Sequence, residues 1–440
     1  MKALLKRLFP DNHPLRIAAH RLKNQLIALS YGYPAKKLIV IGVTGSDGKT
    51  TTVGMIGHIL RPSGKKVAMV STAYFDIDGV VEPNPTQKTS VDAGTLQRFL
   101  KRVVASGCTH AVIEASSHGL VQGRLAGIRP SVAVITNLSM EHLDYHGTME
   151  EYMLAKALLF RALTADGTKV LNADDRTYHA YSGIPSAKTI SYGMRETADV
   201  HASSIVSGPS SVTANLGTKN NERASLSLRI PGSFNIENAL AAIASTSVFG
   251  VTLNEATQAL ASFTGVAGRI EPIVEGQSFA VYIDFTVTPR AYEQTLLTIR
   301  ESMKGSGKLL VLAGSCGDRM REKRPLVGEI CTRLADITIV TNEDPYTEDP
   351  EKIIDEVLSG VPASVPIVRS FEECKTKTDL GHVCLRLSDR MNAIDAMLAL
   401  AKPGDALLFA GKGSDVTMMT KTGQIPWNER EILREKLARS

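Results

Sequence analysis

The sequence has little of what marks disulfide-rich, zinc-binding or membrane-spanning proteins. Its 440 residues contain five cysteines, an odd number, and none of them forms a CxxC pair. Neither a disulfide framework nor a zinc ribbon is indicated, and this composition predicts a reducing, cytoplasmic location. No apolar run reaches the roughly 18 to 20 residues that a membrane-spanning helix needs. Prolines near the N-terminus also interrupt any signal-peptide core.

The chain also lacks a large excess of either charge. Fifty Lys and Arg residues stand against 45 Asp and Glu residues, which gives a net charge of +5. Eight basic residues and a single acidic residue fall within residues 1–37, so the remaining chain holds 42 basic and 44 acidic residues. Because nucleic-acid-binding proteins carry a basic field on their folded domains, that class of function is disfavoured.

Residues 1–37 form a basic N-terminal segment, in which residues 15–30 (LRIAAHRLKNQLIALS) predict a short amphipathic helix. One interpretation is a helix that packs on the following domain. The other is a helix that contacts a membrane surface or a protein partner, which the basic flanks favour. The sequence leaves both open.

From residue 38 onward, short β-branched runs alternate with helix-length segments, a pattern typical of a doubly wound α/β domain with a parallel sheet. The first predicted strands are LIVIGV, KVAMVS, HAVIEA and VAVITN. The alternating stretch at 198–231 predicts an antiparallel hairpin insertion, and FNIENALAAIASTSVFG predicts the helix after it. A second α/β pattern follows, with predicted strands FAVYID, KLLVLAG, ITIVTN, VPIVRS and ALLFAG.

These patterns predict three parts of the chain. Residues 1–37 are the basic helical segment, 38–267 a central α/β domain, and 268–440 a second, C-terminal α/β domain. The hinge between the two larger parts is expected near residues 264–269.

A phosphate-binding loop is the strongest local motif. A predicted buried strand leads through a glycine-rich loop into a predicted helix, at Thr44-Gly45-Ser46-Asp47-Gly48-Lys49-Thr50-Thr51. Gly45 and Gly48 let backbone N–H groups turn towards a phosphate, and the helix N-terminus adds its positive dipole end. Lys49 would reach the β- and γ-phosphates of a nucleoside triphosphate, and the Thr50 hydroxyl would bind Mg²⁺. Val43 stands where the strict motif has glycine, so the loop is a variant.

Longer motifs further along the chain resemble those of the Mur ligase family, and the nearest branch is the UDP-N-acetylmuramoyl-tripeptide synthetases. In the family's order they are EASSHGLVQGR (114–124), TNLSMEHLDYHGTMEEYMLAKALLF (136–160), NADD (172–175), PGSFNIENALAA (231–242), GRIEP (268–272), GSCGDRMREKRP (314–325), EDPYTEDP (343–350) and GKGSD (411–415). The resemblance implies a central P-loop ATPase domain with a doubly wound parallel sheet and a Rossmann-like C-terminal domain.

The resemblance also implies an ATP-dependent, ADP-forming amide ligase. In this family a substrate carboxylate attacks the γ-phosphate, and an amine then displaces phosphate from the acyl phosphate. Because two anions must meet, divalent cations are needed to screen them. The family pattern assigns catalysis to Lys49, Glu114, His142 and Lys156. Thr50 and Glu114 would hold one Mg²⁺, and His142 would bind a second.

Lys156 has an unusual role in the family pattern. The matching lysine is carbamylated by CO₂, which turns a cation into an anionic ligand near the second metal. Taken alone, Lys156 would be a solvated helix lysine, His142 a loop or capping residue and Glu114 an acid at a strand end.

The remaining site residues also come from the resemblance. Asn235, Arg269 and Asp284 would contact the adenine, the phosphates and the ribose side of ATP, although Asn235 could equally cap its helix. Residues matching the carboxylate-substrate contacts are Thr89, Ser90, Ser116, Gln122 and Arg124. Residues matching the amino-acid contacts are Arg319, Asp344 and Asp415.

The sequence departs from the family at four places. The segment before the P-loop is too short for the family's UDP-binding domain, which puts recognition of UDP in doubt. The family's DYAHTP is DFTVTP at 284–289. The DNPR that holds diaminopimelate is EDPY at 343–346, and Tyr346 cannot replace the bidentate pairing of arginine. GKGHE ends here in Asp415, an acid still suited to an incoming ammonium.

Three hypotheses follow. The first is a ligase that joins a diamino acid such as lysine, rather than diaminopimelate, to a UDP-N-acetylmuramoyl-dipeptide. The second keeps this chemistry but acts on a lipid-linked precursor or a poly-γ-glutamyl chain. The third is a non-catalytic nucleotide-binding subunit, which would have no chemical need for Glu114, His142 and Lys156.

Overall fold

The computed structural model describes residues 12–86, 88–208, 210–303, 305–378 and 381–439. These residues divide into two compact units. The first takes the chain through Val206 together with 212–229 and 233–264, and the second takes 207–211, 230–232 and the chain from Gly265 on. Within the described ranges, no helix is both long enough and apolar enough to cross a membrane. The basic residues Lys2, Lys6 and Arg7 lie outside these ranges.

The first unit is built on one large sheet. Its helices are α1 (Pro14–Ser30), α2 (Lys49–Leu60), α3 (Ala93–Ala105), α4 (Ser117–Val121), α5 (Leu143–His146), α6 (Met149–Arg161), α7 (Thr177–Ser182), α8 (Phe234–Ser247) and α9 (Leu253–Leu260), with a 3₁₀ helix at Pro34–Lys37. Its strands are β1 (Ile39–Thr44), β2 (Val67–Val70), β3 (Tyr74–Ile77), β4 (Val80–Pro83), β5 (His110–Glu114), β6 (Val132–Ile135), β7 (Thr168–Asn172), β8 (Lys188–Gly193), β9 (Val200–Ser207), β10 (Val212–Thr218) and β11 (Arg223–Leu228).

Eleven strands run in the order β11-β10-β9-β8-β7-β6-β1-β5-β2-β3-β4. Strand β1 pairs in parallel with β5 and β6 at the centre. Residues 40–44 of β1 are all buried, as expected of a parallel strand with helices on both faces. Val40 packs in a cluster with Phe99 of α3, Gly42 lies against Leu159 of α6, and α2 and α8 pack on each other. The doubly wound architecture predicted from the alternating runs is confirmed.

The segment at 198–231 differs from the predicted insertion. Strands β10 and β11 are the antiparallel hairpin that the sequence predicts. Strand β9, however, pairs in parallel with β8, so the hairpin continues the main sheet instead of leaving it. Alternation of polar and apolar residues predicts strands, but it does not tell which sheet edge they join.

The second unit contains a smaller sheet. Its helices are α10 (Pro289–Ser302), α11 (Lys323–Leu334), α12 (Pro350–Leu358), α13 (Phe371–Lys377), α14 (Arg390–Leu400) and α15 (Glu429–Leu437). Its strands are β12 (Glu271–Pro272), β13 (Ala280–Asp284), β14 (Leu309–Ala313), β15 (Ile337–Val340), β16 (Ile367–Val368), β17 (Val383–Arg386), β18 (Ala406–Ala410), β19 (Thr417–Thr420) and β20 (Gly423–Pro426).

Seven of these strands form a sheet in the order β12-β13-β18-β14-β15-β17-β16, parallel except for β12. Alternate residues of β14 enter two cores: Leu310 packs with Met397 of α14, and Val311 packs with Leu296 of α10. Because the side chains of a strand alternate between its faces, helices cover both sides of this Rossmann-like sheet.

A buried ion pair in the second unit gives a stability prediction. Arg390 donates from Nε and Nη2 to the two carboxylate oxygens of Glu429 at 2.6 and 2.8 Å, and the two side chains are 1% and 0% exposed. Glu429→Gln leaves the buried guanidinium of Arg390 without its counter-charge, so we expect the free energy of unfolding to fall by about 3–5 kcal/mol.

Urea denaturation measures this change, and the exposed pair of Arg333 with Glu293 supplies the control. Glu293→Gln is expected to cost less than about 1 kcal/mol because solvent screens that pair. Equal losses in the two variants would contradict the distinction.

Candidate active site

The phosphate-binding loop lies between β1 and α2. Strand β1 ends at Thr44, and α2 begins at Lys49 with Gly48 as its N-terminal cap at φ +81°. A Cβ at Gly48 would lie 2.2 Å from Oδ1 of Asn238, so a side chain does not fit there. Asn238 Nδ2 in turn donates to Oδ1 of Asn235 at 3.1 Å. Asn235 thus lies in the first turn of α8, one side chain away from the loop.

Polar contacts from the segment after β6 fix the loop. Asn137 Oδ1 accepts from the backbone N–H of Asp47 at 3.0 Å, and the N–H of Ser139 donates to Oγ of Ser46 at 3.0 Å. Nζ of Lys49 donates to the carbonyl of Ser46 at 2.7 Å. Hydrogen bonds from the segment after β6 therefore fix the loop, and the Lys49 ammonium binds a carbonyl of the loop itself.

Thr50 and Glu114 meet at the carboxyl ends of β1 and β5. The Thr50 hydroxyl donates to Oε2 of Glu114 at 3.0 Å, and both side chains are buried. Thr72, just after β2, donates to the same oxygen from its backbone N–H at 2.8 Å. The carboxyl ends of adjacent parallel strands share one edge of a sheet, which is where α/β proteins bind ligands. This cluster of hydroxyl and carboxylate oxygens has the ligand chemistry that Mg²⁺ prefers.

Lys156 is buried beside the loop, not solvated. Its side chain is 1% exposed, its Nζ donates to the carbonyl of Gly45 at 2.7 Å, and it lies 4.2 Å from the centre of the Tyr152 ring. Burial, with the charge of Lys49 as the next cause, lowers the pKa of Lys156 well below its usual value. The amine is therefore biased towards its neutral form.

His142 belongs to a cluster of rings next to Lys156. Its ring centre lies 4.7 Å from that of His118 and 6.1 Å from that of Tyr152, whose ring Lys156 also contacts. His142 adopts φ +59° at the cap of α5, and its Nδ1 lies 3.9 Å from the Glu141 carboxylate. His142 and Lys156, fourteen residues apart in sequence, therefore border one aromatic ring.

His146 is a fourth ring of this cluster, 5.2 Å from Tyr152. Its Nε2 lies 2.9 Å from the hydroxyl oxygen of Ser117. Burial and then the charge of Lys156 lower the pKa of His146 to about 4, so this ring is neutral at physiological pH.

The predicted carboxylate-substrate residues also come together. Arg124 donates from Nη1 to the carbonyl of Ser90 at 2.6 Å and from Nη2 to Oε1 of Gln122 at 2.8 Å. The Ser116 N–H donates to Oγ of Ser90 at 2.8 Å, and Ser116 itself caps α4. The hydroxyl oxygens of Thr72 and Thr89 lie 3.0 Å apart. These polar groups continue the Glu114 cluster along one edge of the sheet.

The second unit holds the other predicted ATP residues. Asp284, at the end of β13, accepts from the N–H of Ile270 at 2.7 Å and from the Thr286 hydroxyl. The guanidinium of Arg269 lies over the Phe285 ring, 4.6 Å from its centre. Asp284 therefore holds the turn that carries Arg269. Thr288 of the same motif caps α10.

The predicted amino-acid residues form a second group in this unit. Both carboxylate oxygens of Asp344 accept from Nζ of Lys412 at 2.9 Å, and Oδ1 also accepts from the N–H of Met419. The charge of Asp344 is thus already balanced within the chain. Asp415 lies 3.5 Å from the same ammonium, and burial raises its pKa to about 7 against the influence of Lys412. Arg319 stacks over Tyr346 at 5.0 Å.

The sequence interpretation missed three polar residues of these clusters. Thr72 follows a buried strand, a position that itself predicts an active-site residue in a parallel sheet. Tyr152 lies one helical turn before Lys156, where residues i and i+4 are neighbours. Lys412 stands inside the quoted GKGSD motif, but nothing in that motif tells which carboxylate it neutralises.

Comparison with known proteins shows which family this chain resembles. Residues 43–246 match the Mur ligase middle domain, and residues 268–413 match the Mur ligase, glutamate ligase domain. A UDP-N-acetylmuramyl-tripeptide synthetase of Roseiflexus sp. (strain RS-1) is 35% identical, over 96% of this chain and 84% of the relative. A UDP-N-acetylmuramoyl-L-alanyl-D-glutamate--2,6-diaminopimelate ligase of Geobacillus kaustophilus is 36% identical, over 92% and 80%.

Solved structures of similar proteins agree on the fold. A UDP-N-acetylmuramoyl-L-alanyl-D-glutamate--2,6-diaminopimelate ligase superposes with a TM-score of 0.60 at 29% identity, covering 96% of this chain and 82% of that one. MurF from Acinetobacter baumannii, 19% identical, reaches a TM-score of 0.66 over 96% and 81%. The chain therefore belongs to the Mur ligase family, the ATP- and Mg²⁺-dependent amide ligases of peptidoglycan precursor synthesis.

Proposed function

We propose that this chain joins a diamino acid such as lysine to the D-glutamyl carboxylate of a UDP-N-acetylmuramoyl-dipeptide, with conversion of ATP to ADP and phosphate. The observation that carries the proposal is the burial of Lys156 beside the P-loop. Lys156 is 1% exposed, and its Nζ lies 2.7 Å from the carbonyl oxygen of Gly45. Burying an amine beside the phosphate-binding loop lowers the stability of the fold. A role of this amine in the ligase reaction explains why it is buried there.

The proposed reaction has two steps, formation of an acyl phosphate and its attack by the amine. A carboxylate oxygen of the acceptor attacks the γ-phosphorus, and ADP leaves, which forms an acyl phosphate. The amino nitrogen then attacks the carbonyl carbon, loses a proton and expels phosphate, which keeps the oxygen that came from the carboxylate. The Lys49 ammonium would turn from the Ser46 carbonyl to the β- and γ-phosphates and stabilise their charge.

The oxygen cluster of the first unit supports a metal site at the phosphates. Thr50 and Glu114 would hold Mg²⁺ there, and His142 would bind a second ion near the carboxylate of the acceptor substrate. Bound there, the ions would screen the two anions that must meet. Thr72 orients the Glu114 carboxylate through two donors, its backbone N–H and its hydroxyl, at 2.8 and 3.1 Å.

The environment of Lys156 supports the carbamate that the family pattern implies. CO₂ adds to a neutral amine, and a proton is released, which leaves an anionic carbamate. The lowered pKa of Lys156 supplies the neutral amine, and Lys49 offers a cation beside the new anion.

The choice of amino acid rests on the second unit. Tyr346 offers no bidentate cation for the distal carboxylate of diaminopimelate, although several relatives are named as ligases for it. Because Lys412 already neutralises Asp344, the ammonium of an incoming amino acid is assigned to Asp415, whose pKa of about 7 lets it titrate near neutrality. Arg319 is assigned to the α-carboxylate.

A second candidate keeps the reaction and changes the acceptor to a lipid-linked precursor or a poly-γ-glutamyl chain. The observation that favours it is the basic segment at residues 1–37, with eight basic residues and one acidic residue.

The test is ADP release by the purified chain with Mg²⁺-ATP, UDP-N-acetylmuramoyl-L-Ala-D-Glu and a panel of amino acids. We expect turnover with lysine or a similar diamino acid, and a product mass equal to the sum of the two substrates less water. Turnover with diaminopimelate alone would refute the assignment of Asp415 and Tyr346. Intact ATP binding without turnover would move the acceptor to the lipid-linked or polymeric class.

A further inference from the structure

Among the described residues, the buried positions of helix α1 lie on one side of the helix. Asn24 and Ala28 are buried on that side. Arg21 donates from Nε to the carbonyl of Val121 at 2.8 Å, and Asn24 donates from Nδ2 to the carbonyl of Gln122 at 2.9 Å. The helix is therefore held in a fixed orientation on the segment that follows α4.

The opposite side of α1 carries an exposed stripe of leucines. Leu15, Leu22, Leu26 and Leu29 are 67%, 64%, 57% and 57% exposed. At about 100° per residue, these four positions fall within an arc of roughly 60°. We call them the leucine stripe. Isolated exposed leucines are common in proteins, but four in line on one helix mark an interaction surface.

The charged side chains of α1 itself are all basic. The helix contains no Asp or Glu, and Arg16 and Lys23 lie on one flank of the stripe by the same helical arithmetic. Across residues 1–37 there are eight basic residues and one acidic residue, whereas the rest of the chain is close to neutral. A protein partner needs no such uniform charge, but the anionic headgroups of a membrane attract it.

We propose that the leucine stripe docks α1 in the plane of an anionic membrane surface. An apolar stripe with a basic flank and no acidic residue in the helix is the pattern of an interfacial helix, which inserts its apolar side below the headgroups. The membrane contact is peripheral, since α1 is only 17 residues long and is held to the protein on its other side.

The docking has a consequence for the acceptor, and this consequence alone rests on the proposed function. The two backbone carbonyls that hold α1 belong to Val121 and Gln122, and Gln122 accepts from Arg124 among the proposed carboxylate-substrate residues. A membrane-bound α1 would therefore keep this loop close to the lipid surface. For the second candidate function, this position would bring a lipid-linked acceptor close to the loop.

Vesicle flotation of the full chain tests the docking. We expect binding to mixed phosphatidylcholine and phosphatidylglycerol vesicles, little binding to phosphatidylcholine alone, and a loss of binding as salt rises. Leu22→Glu with Leu26→Glu is expected to weaken binding to the anionic vesicles by at least about tenfold. Lys23→Gln is expected to weaken it by roughly fivefold.

A matched control comes from β4 in the same unit. Val80 and Val81 are 68% and 59% exposed, so Val80→Glu with Val81→Glu adds the same charge at an equally exposed apolar pair. We expect this variant to bind anionic vesicles like the wild type. Equal losses in both double variants, or no vesicle binding by the wild type, would overturn the proposal.

Two further readouts separate this proposal from its rivals. In sedimentation velocity without lipid, a dimer that the leucine variant abolishes would assign the stripe to a second copy of this chain and overturn the membrane proposal. ADP release in the absence of vesicles reports the ligase activity independently. If the wild type releases no ADP, the proposed function is refuted. The membrane proposal is then still tested by vesicle binding alone.

Discussion

Replacing Lys156 with alanine is expected to lower ADP release by at least roughly 10³-fold while nucleotide binding changes little. The lysine is buried and donates to the carbonyl of Gly45, and its amine has a pKa well below the usual value because of burial and Lys49. Its neutral form is the one that accepts CO₂. Stripping CO₂ from the wild-type assay is expected to lower turnover in the same direction.

Rescue distinguishes the carbamate from a purely structural role. A short carboxylate added to Lys156→Ala can occupy the space of the lost side chain and supply the missing anion, so part of the turnover is expected to return. A lysine elsewhere in the first unit supplies the control. Lys169, 1% exposed, donates to the carbonyls of Tyr181 and Ser182 at 2.9 and 2.8 Å.

Lys169→Ala is expected to lower the melting temperature and to leave the activity per folded molecule unchanged, with no response to added carboxylate. Full activity of Lys156→Ala would contradict the assignment of Lys156.

Replacing Lys49 with alanine is expected to weaken ATP binding by about 10²-fold, the effect of losing a charge-assisted hydrogen bond to a phosphate. In the structure this ammonium donates to the Ser46 carbonyl, 2.7 Å away, so the loop already holds it next to the phosphate position. Titration with Mg²⁺ and a non-hydrolysable ATP analogue measures the change.

The control is Lys66→Ala, which removes an exposed lysine in the loop after α2. Because the whole of α2 separates this position from the P-loop, the Lys66→Ala variant should bind the ATP analogue with the affinity of the wild type. An unaltered titration of Lys49→Ala would refute the role of the loop.

The architecture follows from the sequence because it depends on periodicity and on local turns. Short β-branched runs predict β1, β2, β5 and β6, and a strand, glycine-rich loop and helix predict the P-loop. Strand β17, VCLR, is not among the predicted strands, since its apolar run, Val383–Leu385, has only three residues and ends at Arg386.

The charge state of the site depends on contacts that local patterns do not contain. The sequence interpretation left Asp344 open to an incoming ammonium, but Lys412, 68 positions away, occupies both of its oxygens. Lys156 looks like a solvated helix residue by its charge, whereas the fold buries it against the loop. The sequence predicts that α1 is amphipathic, but only the structure shows which side of the helix packs on the protein.

The most direct test of the ligase mechanism follows one oxygen atom. If the D-glutamyl side-chain carboxylate of UDP-N-acetylmuramoyl-L-Ala-D-Glu is labelled with a heavy oxygen isotope, attack on the γ-phosphate and later expulsion of phosphate must transfer one label to inorganic phosphate. We expect one labelled oxygen in each phosphate released with product, detected by mass spectrometry. Phosphate that carries no label would contradict the acyl-phosphate account and indicate hydrolysis of ATP by water.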